Sequence, residues 1–218
     1  APAPRTRAPQ PTRSSLGAVQ ANIDDPQRRR RVDLLTQVAN RVNDAIGFLS
    51  LSAEQLAEPG LPARVEAAVR DAVDKMTPLP IGFDVETLAK EAIAELNGAG
   101  PLDDLLADET IHEVAVTNHD RIYVDKGSGQ ALSDRVFSSA AAVLRAVDRL
   151  ASRAGQRVEG NISELRLDGS LLQVALPPNA RVPSLVLRRS RRTGGRLQDL
   201  VNQGVLSAAM SEFLELCM

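Results

Sequence analysis

Arg166, Arg188 and Arg189 are the residues of this chain most suited to meet phosphate. Arg166 precedes an Asp168-Gly169 turn, and Arg188 and Arg189 close an apolar run. A guanidinium is planar, stays charged at every relevant pH and offers a fork of N–H donors that matches phosphate oxygens, so the three could clamp a nucleotide. Otherwise they are the solvated ends of strands. A second basic group, Arg28, Arg29, Arg30 and Arg31, opens a helical stretch. It is either a contact for anionic lipid or an acidic partner, at about 1 kcal/mol per residue near such a membrane, or an exposed junction between linker and helix. The second reading is favoured, because charge runs are usually solvated. The helix dipole also disfavours cations at that end.

Other chemistry is poorly provided for. Lys126-Gly127-Ser128-Gly129 reads as a turn, and the sequence has no G-x-x-x-x-G-K-[ST] phosphate loop. Hydrolysis needs backbone amides around the phosphates and a lysine that reaches them, so no catalytic residue is assigned. His112 and His119, the only two histidines, suggest no third ligand and read as surface or turn residues, with no metal site. Asp103 and Asp104 follow Pro101 in a first helical turn, where carboxylates complement the dipole. Cys217 is the single cysteine, which rules out an internal disulfide, fits a reducing compartment and reads as a small buried apolar residue.

The 218 residues suit one large domain or two small ones, and 43% hydrophobic with 25% charged residues is an ordinary globular balance. A net charge of -2, no Trp and one Tyr argue against a nucleic-acid partner, which needs positive potential and stacking platforms. No apolar run is long enough to span a bilayer, so a cytoplasmic protein is expected.

The elements follow from periodicity. Residues 1–13 alternate Pro with Ala and Arg, and 1–25 read as an extended linker. Leu35, Val38, Val42, Ile46 and Leu49 mark one helix ending near Gly47, and Pro62 opens a second with Val65, Val69, Ala72, Val73 and Met76 inward. Leu51 to Leu56 could add a turn between them. A helical bundle is assigned to 26–82. Asp84 caps a third helix with Val85, Leu88, Ala92 and Leu96 inward, stopped by Gly98 and Gly100. The period then changes to two: strands are expected over Glu113 to Asn118, at Ile122 and Val124, over Leu132 to Val136, Ile162 to Leu167, Leu171 to Leu176 and Val182 to Arg189. Ser138 or Ser139 caps a helix carrying Val143, Val147, Leu150 and Ala154. Hairpins flanked by a few helices predict an α+β fold with an antiparallel sheet over 83–192. Residues 193–218 hold a flexible Thr193-Gly194-Gly195 and two short helices.

Gly100-Pro101-Leu102-Asp103-Asp104-Leu105-Leu106-Ala107-Asp108, then Glu113 to Asn118, Asp120-Arg121-Ile122-Tyr123-Val124, Arg166-Leu167-Asp168-Gly169-Ser170, Pro177-Pro178 and Leu187-Arg188-Arg189 occur in one order. That order resembles the second N-terminal domain of CpaF/TadA-type ATPases, the motors of tight-adherence (Flp) pili within the type II/IV secretion ATPases, over roughly Asp84 to Met218. Leu197-Gln198-Asp199-Leu200, Gly204 to Ser207 and Met210 to Cys217 resemble the bridge to the family's RecA-like motor. The resemblance implies a hexameric, cytoplasmic motor protein at the inner face of the inner membrane, using ATP and Mg²⁺ for pilus assembly or protein transport. Its implied partners are its own motor domain, neighbouring protomers and pilus platform proteins. The stretch here would be the regulatory, nucleotide-capping part, holding no nucleotide strongly and inactive alone. In the family a Pro precedes the Asp-Gly and an Arg follows the Gly-Ser; here the Pro is missing and Leu171 replaces the Arg. The alternative reading is an adaptor that docks to platform proteins without using nucleotide.

Overall fold

The computed structural model describes residues 25–52, 55, 58–189, 197–202 and 204–217. The expected linker, apart from Asp25, and the Thr193-Gly194-Gly195 segment lie outside these residues, as does half of the turn expected at Leu51 to Leu56.

Helix α1 (Pro26–Ile46) begins where the Asp25 carboxylate accepts the Gln27 N–H at 2.9 Å. It ends at Gly47, whose φ of 65° suits a residue without Cβ and lets its N–H reach the Asn43 carbonyl at 2.7 Å. A single 3-10 turn, Phe48–Ser50, follows. Helix α2 (Leu61–Asp74) carries Pro62 in its first turn, and α3 (Val85–Asn97) is capped by Asp84, which accepts the Thr87 N–H at 2.8 Å. Leu34, Leu35, Val38 and Val42 of α1, Leu61, Val65, Val69 and Val73 of α2 and Leu88, Ala92 and Leu96 of α3 share one core. Val38, Val42, Val65 and Val69 lose all exposure, each worth about 1.5–3 kcal/mol of apolar burial. Helix α3 closes this core against α1 and α2.

Beyond the short α4 (Pro101–Ala107) lie β1 (Glu113–Asn118), β2 (Arg121–Asp125), β3 (Gln130–Leu132), α5 (Ala140–Arg153), β4 (Ile162–Leu167), β5 (Ser170–Ala175) and β6 (Ser184–Arg189). The strands form one sheet in the order β3-β2-β1-β6-β5-β4, every neighbouring pair antiparallel. The fold is α+β. One face of the sheet packs Val114, Val116, Leu165, Leu172, Leu185 and Leu187 against Ala142, Val143, Ala146, Val147 and Leu150 of α5, a second core separate from the bundle's. Ser139, not Ser138, caps α5, accepting the Ala142 N–H at 3.2 Å.

Three expectations shift. The third strand closes at Leu132, because Val136 is drawn into the bundle core and Phe137 into the sheet core. The last strand starts at Ser184, after Pro183, which has no N–H for a ladder. Cys217 is exposed on α7 (Ala208–Cys217). That helix packs on α6 (Leu197–Asn202) and leaves Met210, Phe213 and Leu216 uncovered.

Candidate functional site

The tight β4–β5 turn pairs Leu167 with Ser170, and Gly169, at φ 69°, takes the left-handed position that glycine occupies without strain. Next to it opens a cleft of about 1080 Å³. Its walls come from five parts of the chain: Leu106 of α4, Glu109 and His112 before β1, Leu150 and Arg153 of α5, Arg166 to Ser170 of the β4–β5 hairpin, and Arg189 of β6.

Strand register sorts the three expected arginines. Arg166 pairs with Leu171, Leu171 with Arg188 and Arg188 with Glu113, one row on the sheet face away from α5. Arg189 pairs with Ser170 in the neighbouring row on the α5 side, since successive residues of a strand point to opposite faces. The cleft wall includes Arg166 and Arg189 but not Arg188, although Arg166 shares the outer row with Arg188. Arg188 Nε instead donates to Glu113 Oε2 at 2.6 Å. Leu171, which replaces the family's expected arginine, lies between Arg166 and Arg188 on the outer row.

The arginines around the cleft are held to different degrees. Arg189 Nη2 donates to the Leu106 carbonyl and, at 3.3 Å, to that of Asp108, closing the C-terminal end of α4. Arg153 Nη1 donates to Asp103 Oδ1 at 2.6 Å, while Asp103 Oδ2 accepts the Ala99 N–H at 2.6 Å. Arg166 is held only by its backbone. The Gln156 carboxamide donates to the Arg166 carbonyl at 2.7 Å and accepts its N–H at 3.3 Å, closing the edge of β4. The Arg166 guanidinium is exposed and has no partner among the described residues.

The cleft is lined by Arg153, Arg166, Arg189, His112 and Ser170 together with the acidic Glu109 and Asp168. Such a donor set can bind and orient an oxyanion, and phosphate above all. Arg153, His112, Glu109 and Ser170 were not singled out as site residues. A basic residue in the last turn of a helix is common, and only the packing of α5 over the sheet brings Arg153 to the β4–β5 turn. His112 is fixed by its N–H to the Asp125 carbonyl at 2.7 Å, and its ring lies so near Gly127 that a Cβ there would come within 3.2 Å.

The other basic group divides. Arg28 is 9% exposed, its guanidinium donating to the carbonyls of Asp120, at 3.0 Å, and Ser133. Arg31 donates to the Asp134 carbonyl at 3.2 Å and lies 3.5 Å from Glu91 Oε1. Arg29 and Arg30 are exposed. Arg28 and Arg31, one helical turn apart, thus join α1 to the sheet domain.

That seam continues through Thr36, which donates to the Ser138 carbonyl at 3.0 Å, and through Glu95, which accepts the Ser138 N–H at 2.8 Å and its hydroxyl. Burial pushes the Glu95 carboxyl above the usual range, against the Ser138 hydrogen bonds and the charges of Arg145 and Arg149. Burial raises Glu91 as well, opposed by Arg31 and Arg135. Arg149 donates to the carbonyls of Glu95 at 2.9 Å, Gly98 at 2.6 Å and Leu96, capping α3 from the sheet side.

No protein-family model matches the sequence. Over 108 residues it is 36% identical to two Mycobacterium tuberculosis proteins described as conjugal transfer proteins, from strains CDC 1551 / Oshkosh and ATCC 25618 / H37Rv. The chain is similar to conjugal transfer proteins. The matched stretch is 44% of this chain and 31% of each relative, so the chain spans about a third of their length. Among solved structures, the VirB11 ATPase of the Brucella suis type IV secretion system, in complex with sulphate, overlaps 49% of this chain and 34% of its own, with a TM-score of 0.38 and 19% identity. Among the described residues no helix is long and apolar enough to cross a membrane.

Proposed function

We propose that this chain is the nucleotide-capping and assembly region of a secretion ATPase of the tight-adherence pilus type. The sheet domain closes over ATP and Mg²⁺ held by a motor domain of the same polypeptide, and its movement against that motor passes on the work of hydrolysis. The whole protein acts as a hexamer at the cytoplasmic face of the inner membrane, against the platform proteins of a pilus or export machine. One observation carries the reading: Arg166 and Arg189, two of the three arginines that the resemblance implies at nucleotide, line a single cleft although they come from β4 and β6. Similarity to conjugal transfer proteins supports it, because conjugal transfer is export through the cell envelope.

Arg166 is an addition to a phosphate site built elsewhere. Its charge supplies transition-state stabilisation without taking part in bond making. The test is steady-state ATP hydrolysis by the full-length gene product with Arg166→Gln. A fall of about tenfold or more in kcat/KM, the scale of one charge-assisted hydrogen bond, is expected. An unchanged kcat/KM for Arg166→Gln, and for Arg166→Gln combined with Arg189→Gln, would refute the capping role.

A further inference from the structure

Helix α4 has only seven residues, too few to hold a helical conformation by its own hydrogen bonds. Two cleft arginines hold its two ends. Arg153 is paired with Asp103 in its first turn, and Arg189 is bonded to the Leu106 and Asp108 carbonyls at its last. The other side of α4 leads to the bundle. Asp104 Oδ2 lies 3.2 Å from Arg135 Nη2, Arg135 Nη1 lies 3.1 Å from Glu91 Oε1 on α3, and Glu91 Oε1 lies 3.5 Å from Arg31 on α1.

We infer that α4 is a strut loosened by anion binding in the cleft, so that occupancy of the cleft is relayed to the helical bundle; the inference rests on the phosphate reading above. An anion with several phosphate oxygens in the cleft competes for the guanidinia of Arg153 and Arg189. Each pairs with α4 or with the anion, and that choice is the two-state element that coupling requires. Leu102, fully buried in the sheet core, keeps α4 in place. The response is therefore a loosened last turn and a displaced Asp104, not a departure of the helix. Asp103 keeps its bond to the Ala99 N–H when Arg153 leaves.

The experiment uses the 218-residue chain and sodium tripolyphosphate, with binding followed by calorimetry and protection by hydrogen exchange over residues 101–108 and 85–97. Binding should speed exchange over 101–108 about tenfold, the scale of one charge-assisted hydrogen bond. Asp103→Asn, which frees Arg153 but keeps an acceptor for Ala99, should tighten binding about two- to fivefold. Asp104→Asn should leave affinity unchanged while abolishing any response over 85–97. Binding with exchange over 101–108 unchanged or slowed overturns the strut and leaves the phosphate reading standing. Absence of binding overturns the strut as well, while the capping role is decided separately by ATP hydrolysis of the full-length Arg166→Gln protein.

Discussion

The seam between bundle and sheet and the cleft at the β4–β5 turn are both built on arginine, but they hold it differently. In the seam, Arg28 and Arg149 are desolvated, which lowers the pKa of each, and they donate to backbone carbonyls that belong to other elements. In the cleft, Arg153 is 53% exposed where it meets Asp103, and the Arg166 guanidinium has no partner among the described residues. A guanidinium removed from water cannot exchange its acceptors without leaving carbonyls unsatisfied in the interior. One that stays wet can. The first arrangement is a fastening, and the second is a contact open to competition by a ligand.

That contrast breaks if removing a seam arginine is no worse for stability than removing one from the cleft. Arg149→Met should cost about 3 kcal/mol, because three carbonyls around the end of α3 lose a charged donor together. Arg166→Gln should stay within about 0.5 kcal/mol of the parent, as exposed substitutions do. Urea unfolding of the two variants makes the comparison, and equal losses would mean that the seam is no fastening.

Ligand binding probes the opposite side of the contrast, with a smaller energy. Arg166→Gln should weaken tripolyphosphate binding about tenfold in calorimetry. Arg188→Gln, on the outer row and already paired with Glu113, should change it less than about twofold. If the two variants were equally weakened, the site would have to extend along the outer row to Arg188.

The pH dependence of the seam sharpens the comparison further. Glu95 has its carboxyl pushed above the ordinary value of 4.5 by burial, so the folded chain holds that proton more tightly than the unfolded one. Its contribution to stability is therefore complete below pH 4.5 and is lost as pH rises through the elevated folded value. Relative to Glu95→Gln, the parent should gain melting temperature on acidification from pH 8 towards 5. Parallel Tm profiles for the two proteins would show that the carboxyl titrates in the seam as it does in the unfolded chain. Asp108 at the end of α4 has the opposite sign. The Lys126 hydrogen bond, helped by Thr110, holds its carboxyl well below the usual range. Lys126→Gln should lower Tm slightly near neutral pH, with the difference from the parent shrinking as pH falls below the ordinary carboxylate range, the smallest change in this set.

Much of the scaffold was legible in the residues themselves. Asp25, Gly47, Asp84 and the Asp168-Gly169 turn act where their types indicate. The apolar stripes of α1, α2, α3 and α5 are mostly the buried ones, but Leu49 and Val85, expected inward, are exposed. Less was legible at the site. Arg188 and Arg189 are adjacent in sequence and look equivalent, yet register sends them to opposite faces. Arg28 reads as part of an exposed run and is buried, because the β1–β2 turn and the stretch after β3 present carbonyls to it from about a hundred residues away. Cys217 reads as buried and is exposed, since nothing among the described residues covers that side of α7.

The sequence by itself determined which segments are helix or strand, where most of them stop and which side of each is apolar. Those properties depend on residues within one or two turns of each other, and a helix or strand repeats its geometry over that distance. Only the tertiary structure decided which arginines share a cleft, which join the bundle to the sheet and which core receives Val136 rather than Phe137. Those outcomes turn on the antiparallel pairing of β1 with β6, strands that begin 71 positions apart at Glu113 and Ser184. A shift of one residue in that register would exchange every side chain between faces, and no local pattern in the chain specifies it.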